Sequence, residues 1–124
     1  MMVNRPLVSV VDDDESVRES LPDLLREFGF AAQAFASAEE FLASDRIGDT
    51  RCLILDIAMP GMSGPDLHRE LLRRQQRIPT VFITAHGSEA TRPQLIAQGA
   101  IDCLLKPFSE SALREAIDAA LRVR

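Results

Sequence analysis

Acidic residues stand at the ends of two apolar runs in this 124-residue chain: Val10-Val11 leads into Asp12-Asp13-Asp14-Glu15, and Leu53-Ile54-Leu55 leads into Asp56. Consecutive acids repel one another, and at a strand end facing a crevice they suit a hard divalent cation. Asp14 has a local task available, capping the helix that follows while Glu15 and Glu19 complement its dipole, and this leaves Asp12 and Asp13 free for other work. The remaining polar strand ends are Thr84, after Phe82-Ile83, and Lys106, before Pro107-Phe108. A hydroxyl and a compact ammonium delivered to one edge suit the oxygens of a phosphoryl group. Lys106 is also the only lysine among fourteen basic residues, the rest being arginine, which suggests a task a planar guanidinium cannot perform.

These residues need a scaffold that gathers strand ends. Five short apolar runs, Leu7 to Val11, Ala31 to Phe35, Cys52 to Ile57, Thr80 to Thr84 and Ile101 to Leu105, alternate with segments of helical period. Several are continuously apolar, as strands buried on both faces of a parallel sheet are. Val17, Leu21, Leu24, Leu25 and Phe28 lie on one helical stripe interrupted by Pro22, so a kinked first helix is expected, the alternative being a helix that begins at Pro22. Ser37-Ala38-Glu39-Glu40 is a capping box opening a second helix. Ser63-Gly64-Pro65 opens a third. A weaker fourth is expected from about Arg92 to Gln98, ending at Gly99, and a fifth is capped by Ser109. Right-handed crossovers then leave an α/β doubly wound (βα)5 sheet, with the chemistry at the carboxyl ends of its strands. With the first and third strands adjacent, Asp56 meets Asp12 and Asp13. Three gathered carboxylates call for a cation, and Mg²⁺ fits because it takes a few carboxylates plus water and phosphoryl oxygens.

The composition bounds the alternatives. A formal net charge of −5 with no basic block argues against the chain itself binding nucleic acid or an anionic membrane. Arg69, Arg73 and Arg77 form a stripe on the third helix that reads as a solvated face. Cys52 and Cys103 form neither a CxxC pair nor a Cys/His cluster and read as small core residues, and the absence of a secretory pattern near Met1 points to the cytoplasm. His68 and His86 have no second ligand at metal spacing, though His86, in the loop after Thr84, could tune water access to the edge. The whole chain, 1–124, reads as one domain.

Taken together, these residues resemble the receiver domains of two-component response regulators. The resemblance rests on Val-Val-Asp12-Asp13-Asp, Leu-Ile-Leu-Asp56 followed by Met-Pro-Gly-Met-Ser-Gly, Phe-Ile-Thr84-Ala-His-Gly, Gly99-Ala100 and Lys106-Pro107-Phe108. The phrases Asp-Asp-Glu-Ser-Val-Arg-Glu-Ser and Phe-Ala-Ser-Ala-Glu-Glu-Phe-Leu are most similar to the FixJ branch, whose members usually carry a helix-turn-helix output domain. The resemblance implies a CheY-like fold with strand order 2-1-3-4-5. It implies Asp56 as phosphoacceptor, and Mg²⁺ (or Mn²⁺) held by Asp12, Asp13, Asp56 and the backbone carbonyl of Ala58. It further implies Thr84 and Lys106 on the phosphoryl oxygens and a cis peptide before Pro107. The implied partner is a sensor histidine kinase, with a possible homodimer through the face made by the fourth helix, fifth strand and fifth helix. DNA would be reached only through an output domain, which this chain does not contain.

Two departures from the family pattern qualify these expectations. Cys103 stands where the family usually has an aromatic residue that swings inward on activation, and it is too small for that rotamer switch. The polar segment Ser88-Glu89-Ala90-Thr91-Arg92-Pro93-Gln94 is expected to be irregular or mobile, with Pro93 delaying the fourth helix. A haloacid-dehalogenase-type phosphatase would need an Asp-x-Asp nucleophile motif on the first strand and an inserted cap, but here the loop after the first strand is a helix start and no insertion in 124 residues could form a cap. A degenerate receiver acting through protein contacts alone would be expected to have lost one of Asp12, Asp13, Asp56, Thr84 or Lys106, and all are kept, though Cys103 leaves that reading open for the output step; a stand-alone receiver and a part of a longer regulator are both open alternatives.

Overall fold

In the computed structural model, which describes residues 5–88 and 90–123, five strands alternate with five helices. The order is β1 (Leu7–Val11), α1 (Glu15–Glu27), β2 (Ala31–Phe35), α2 (Ala38–Ala43), β3 (Thr50–Asp56), α3 (Gly64–Arg73), β4 (Thr80–Thr84), α4 (Thr91–Ala97), β5 (Asp102–Leu105) and α5 (Glu110–Leu121), with a 3-10 turn at Ile47–Asp49 before β3. All neighbours are parallel, in the order β2-β1-β3-β4-β5. This is the doubly wound fold the alternation predicts, in the strand order the resemblance implies. Met1–Asn4, Glu89 and Arg124 lie outside the described residues, so the reading of the extreme N-terminus and of Glu89 has no structural counterpart here.

The sheet divides the core in two. On one face Val11, Phe35, Leu53, Leu55 and Phe82 pack beneath α2 and α3, with Phe41, Leu67 and Leu71 descending onto them. On the other, Val8, Val10, Ile54, Val81 and Ile83 meet Leu21 and Leu25 of α1 and Leu113 and Ile117 of α5. Burial on both sides explains why β3 and β4 read as continuous apolar runs rather than alternating ones.

The helix starts follow the predicted caps: the side chains of Ser37, Ser63 and Ser109 accept from the amides of Glu40, Asp66 and Ala112. Helix α1 runs unbroken through the buried Pro22, which overturns the alternative of a helix starting there. Proline supplies no N–H to the preceding turn, but the apolar stripe around Leu21 and Leu25 secures the helix from the core side. Helix α4 starts at Thr91, after a turn in which Ser88 and Thr91 exchange hydrogen bonds, and no side chain caps it. Residues 91–94 are thus helical, contrary to the irregular segment expected over 88–94, because Pro93 falls in the first helical turn, where a missing N–H costs nothing.

Candidate functional site

Sheet register sets the level of each site residue. Val11 pairs with Phe35 on one side and Leu55 on the other, so Asp12 and Asp56, each the next residue along, emerge side by side at the carboxyl edge. Asp56 pairs with Ile83, and Thr84 with Leu105, which brings Thr84 and Lys106 to the same edge. Asp12, Asp13, Asp56, Ala58, Thr84 and Lys106 all line one crevice of about 240 Å³.

Asp12 is fully buried, and every part of it is occupied. Its amide donates to the Phe35 carbonyl (3.1 Å), its Oδ1 accepts from the Asp14 amide (2.9 Å), its Oδ2 accepts from Lys106 Nζ (2.8 Å), and its carbonyl accepts from Arg18 Nη1 (3.0 Å). Asp14 caps α1 through the Ser16 amide and hydroxyl, and these bonds hold its carboxyl below the ordinary carboxylate range. Asp13 is exposed at the rim. Asp12, Asp13 and Asp56 each offer an oxygen, and the three lie within 4.8 Å of one another.

Asp56 is 7% exposed. Burial, followed by the negative charge of Asp12, pushes its pKa up to about 7, against the pull of Lys106, whose Nζ lies 3.8 Å from Asp56 Oδ1. For Lys106 itself, burial works against the charged form but is outweighed by the bond to Asp12 and the charges of Asp12 and Asp56, so its pKa is raised and the ammonium persists. The crevice thus holds four acids, Asp14 engaged in its helix cap among them, against one lysine. This imbalance fits a small divalent ion with hard oxygen ligands, the test the donor set had to meet.

The Thr84 hydroxyl points into its own loop, donating to the His86 carbonyl (2.9 Å) and accepting from the His86 amide (3.1 Å). His86 lines the crevice beside it. The Lys106–Pro107 peptide is cis. Cys103 is buried, its amide donating to Asp102 Oδ1 (2.7 Å), and Asp102 in turn pairs with Arg92 (2.7 Å). Burial raises the pKa of the Cys103 thiol and takes that of Cys52 to about 12, so both remain neutral core residues. Between Thr84 and Cys103 lies a separate cavity of about 140 Å³, lined also by Gly87, Thr91 and Leu105.

Other singled-out residues fall elsewhere. Arg69 pairs with Asp66 and Arg73 with Glu70 along the solvated face of α3, but the helix ends at Arg73, so Arg77 lies beyond it and not on the expected stripe. His68 is buried edge-on to Phe82, where desolvation lowers its pKa and keeps it neutral. Two contacts near the site escaped sequence reasoning: Arg18 on the Asp12 carbonyl, and Glu39 of α2, whose carboxylate accepts from the Met62 amide (3.0 Å) in the loop after Asp56.

A five-stranded parallel sheet with acids gathered at its carboxyl edge and a lysine reaching in from the last strand defines the receiver class of signalling domains. The family model of the response regulator receiver domain matches residues 8–118, and the chain belongs to that family. It is 43% identical over 116 residues to Nodulation protein W of Bradyrhizobium diazoefficiens, covering 94% of this chain and 51% of that one. It is 40% identical over 113 residues to Transcriptional regulatory protein FixJ of Rhizobium meliloti, covering 91% of this chain and 55% of that one. The crystal structure of FixJ-N superposes with a TM-score of 0.85 at 38% identity, covering 99% of this chain and 98% of that one. The chain is a FixJ-like receiver domain of two-component response regulators, and it spans about half the length of the curated relatives it matches.

Proposed function

We propose that this domain is a phosphorylation-driven switch whose phosphoacceptor is Asp56. The observation that carries the reading is the convergence of Asp12, Asp13 and Asp56 oxygens within 4.8 Å of one another, with Lys106 Nζ 2.8 Å from Asp12 and 3.8 Å from Asp56. Asp12, Asp13, Asp56 and the Ala58 backbone carbonyl are the groups that would hold Mg²⁺, or Mn²⁺ in its place. When bound, the ion supplies positive charge to the phosphoryl oxygens and to the crowded carboxylates.

The chain's own residues position and neutralise. An Asp56 carboxylate oxygen bonds to phosphorus as the P–N bond of a kinase phosphohistidine breaks, the imidazole leaving with the bonding electron pair. Such transfer is largely a matter of placement and charge compensation. Lys106 remains protonated through the step and carries its charge to the phosphoryl oxygens. Thr84 gives up its two bonds to His86 and turns its hydroxyl to the same oxygens, which moves the loop leading to α4. Water later cleaves the acyl phosphate, restoring the carboxylate and releasing inorganic phosphate.

On this reading residues 1–124 work as a single signalling module in the cytoplasm, not as a dedicated enzyme. The partner is a sensor histidine kinase, the α4-β5-α5 face is the switched surface and a homodimer contact, and DNA is reached through an output domain such as a transcriptional regulator carries. The test is incubation with acetyl phosphate and Mg²⁺, read by intact mass. A single labile phosphoryl adduct is expected in the wild type and absent from Asp56→Asn. No adduct in the wild type, or an undiminished one in the variant, contradicts the assignment.

A further inference from the structure

The loop that carries Ala58 to the rim of the crevice, residues 57–63 between β3 and α3, is fastened at three levels. At its base Ile57 donates to the Ile83 carbonyl (3.2 Å), and Gly64 donates back to the Ile57 carbonyl (2.9 Å). In its middle the Met59 side chain is buried in the core under α2 and α3. Its tip is held from outside. The Met62 amide donates to Glu39 Oε2 at 3.0 Å across 23 residues of sequence. Gly61, at φ +75°, passes so close that a Cβ there would stand 2.7 Å from the same oxygen.

The local role of Glu39 does not explain this contact. Helix α2 is capped by Ser37, which accepts from the Glu40 amide, and Glu39 needs only to sit in the first turn to complement the helix dipole. Its carboxylate instead leaves the helix to accept a bond from a loop whose far side lines the crevice. A hydrogen bond to a charged acceptor is roughly twice as strong as a neutral one. With base and middle already fixed, this bond sets the remaining freedom of the loop.

We propose that Glu39 is a positioning residue for the metal site, holding the tip of the β3–α3 loop so that the Ala58 backbone is presented at a fixed place beside Asp56. This rests on the assignment of Asp12, Asp13, Asp56 and Ala58 as the metal-holding groups. Glu39 touches neither the ion nor the phosphoryl group; it acts through Met62, Gly61 and the short stretch back to Ala58.

The experiment titrates Mg²⁺ into the metal-free protein, followed by backbone amide NMR, with hydrogen exchange at Met62 read in parallel. Glu39→Ala should weaken Mg²⁺ binding by about threefold to tenfold, below the 10–100-fold typical of groups that touch a ligand directly, and should speed exchange at Met62. Glu39→Gln keeps an acceptor oxygen and should stay within about twofold of wild type, since a neutral acceptor retains roughly half the bond. Glu40→Ala removes the same charge one residue along and should bind like the wild type. If the wild type takes up no Mg²⁺, the site assignment falls and this inference with it. If the wild type binds and Glu39→Ala binds equally well, the inference alone is overturned, even if Met62 exchange or thermal stability changes. Equal weakening in Glu39→Ala and Glu39→Gln overturns it too, because charge and not the hydrogen bond would then be responsible.

Discussion

The proposed function asks Asp56 to be a nucleophile in a place where being ionised is costly. Its pKa is raised from 3.8 to about 7 by burial and by Asp12, so the folded protein holds that proton more tightly than the unfolded chain does. The stability associated with the protonated form is present in full below pH 4, and it is lost as pH rises through about 7. Asp56→Asn, which cannot ionise, should therefore be more stable than wild type by roughly 1–3 kcal/mol above pH 7 without metal, the range for an uncompensated buried polar group. In urea or thermal unfolding that gap should open between pH 4 and 7, level off above, and shrink when Mg²⁺ is added. A gap independent of pH would show that Asp56 is not the strained group. Lys106 faces the opposite demand, since it must stay charged in a narrow space, 19% exposed and against both Asp12 and Asp56. Lys106→Arg keeps the charge but replaces a compact ammonium with a planar fork. Phosphorylation by acetyl phosphate should slow at least about tenfold, less than the ~100–1000-fold that follows outright loss of a positioned donor. A wild-type rate in that variant would show that the solitary lysine has no special role.

At the scale of elements, the site depends on how closely β3 is joined to α3. Gly64 opens α3 so near the end of β3 that a Cβ would lie 2.1 Å from the Asp56 carbonyl oxygen. The neighbour is backbone and cannot turn aside. Gly64→Ala should cost at least about 1–3 kcal/mol, the usual range for overpacking, and lower the melting temperature while also weakening Mg²⁺ binding. Unchanged stability would mean the junction is looser than described. Much at this scale was legible in the sequence: the serine caps of α2, α3 and α5, the apolar strands, and the carboxylates closing β1 and β3 all declare themselves through local chemistry. Continuity of α1 through Pro22 does so too, in the apolar stripe of Leu21 and Leu25 that runs on past the proline. Glu39 does not, because its place in the first turn of α2 is a complete local explanation; its reach to Met62 exists only once α2 lies beside the β3–α3 loop. The Thr84 hydroxyl was assigned to the right edge, but its engagement with His86 is a property of the loop and not of the residue type.

For the molecule as a whole, the surplus of five negative charges acquires a location. Asp12, Asp13, Asp14 and Asp56 share one crevice, whereas the ion pairs of the other acids among the described residues are with arginine, as Glu70 makes with Arg73 and Arg74. The crowded acids are thus confined to the carboxyl edge of a sheet whose two faces are otherwise closely packed, and in the proposed switch a change of charge at that edge would be conveyed along Thr84 and Lys106 to β4, β5 and the uncapped start of α4. In that switch the change is the phosphorylation of one residue. Reducing the acetyl-phosphate-treated protein with borohydride converts an aspartyl phosphate to homoserine, which peptide mass analysis can locate. Conversion is expected at residue 56 alone, dependent on Mg²⁺; conversion at Asp12 or Asp13, or none at any residue, would overturn the assignment of Asp56.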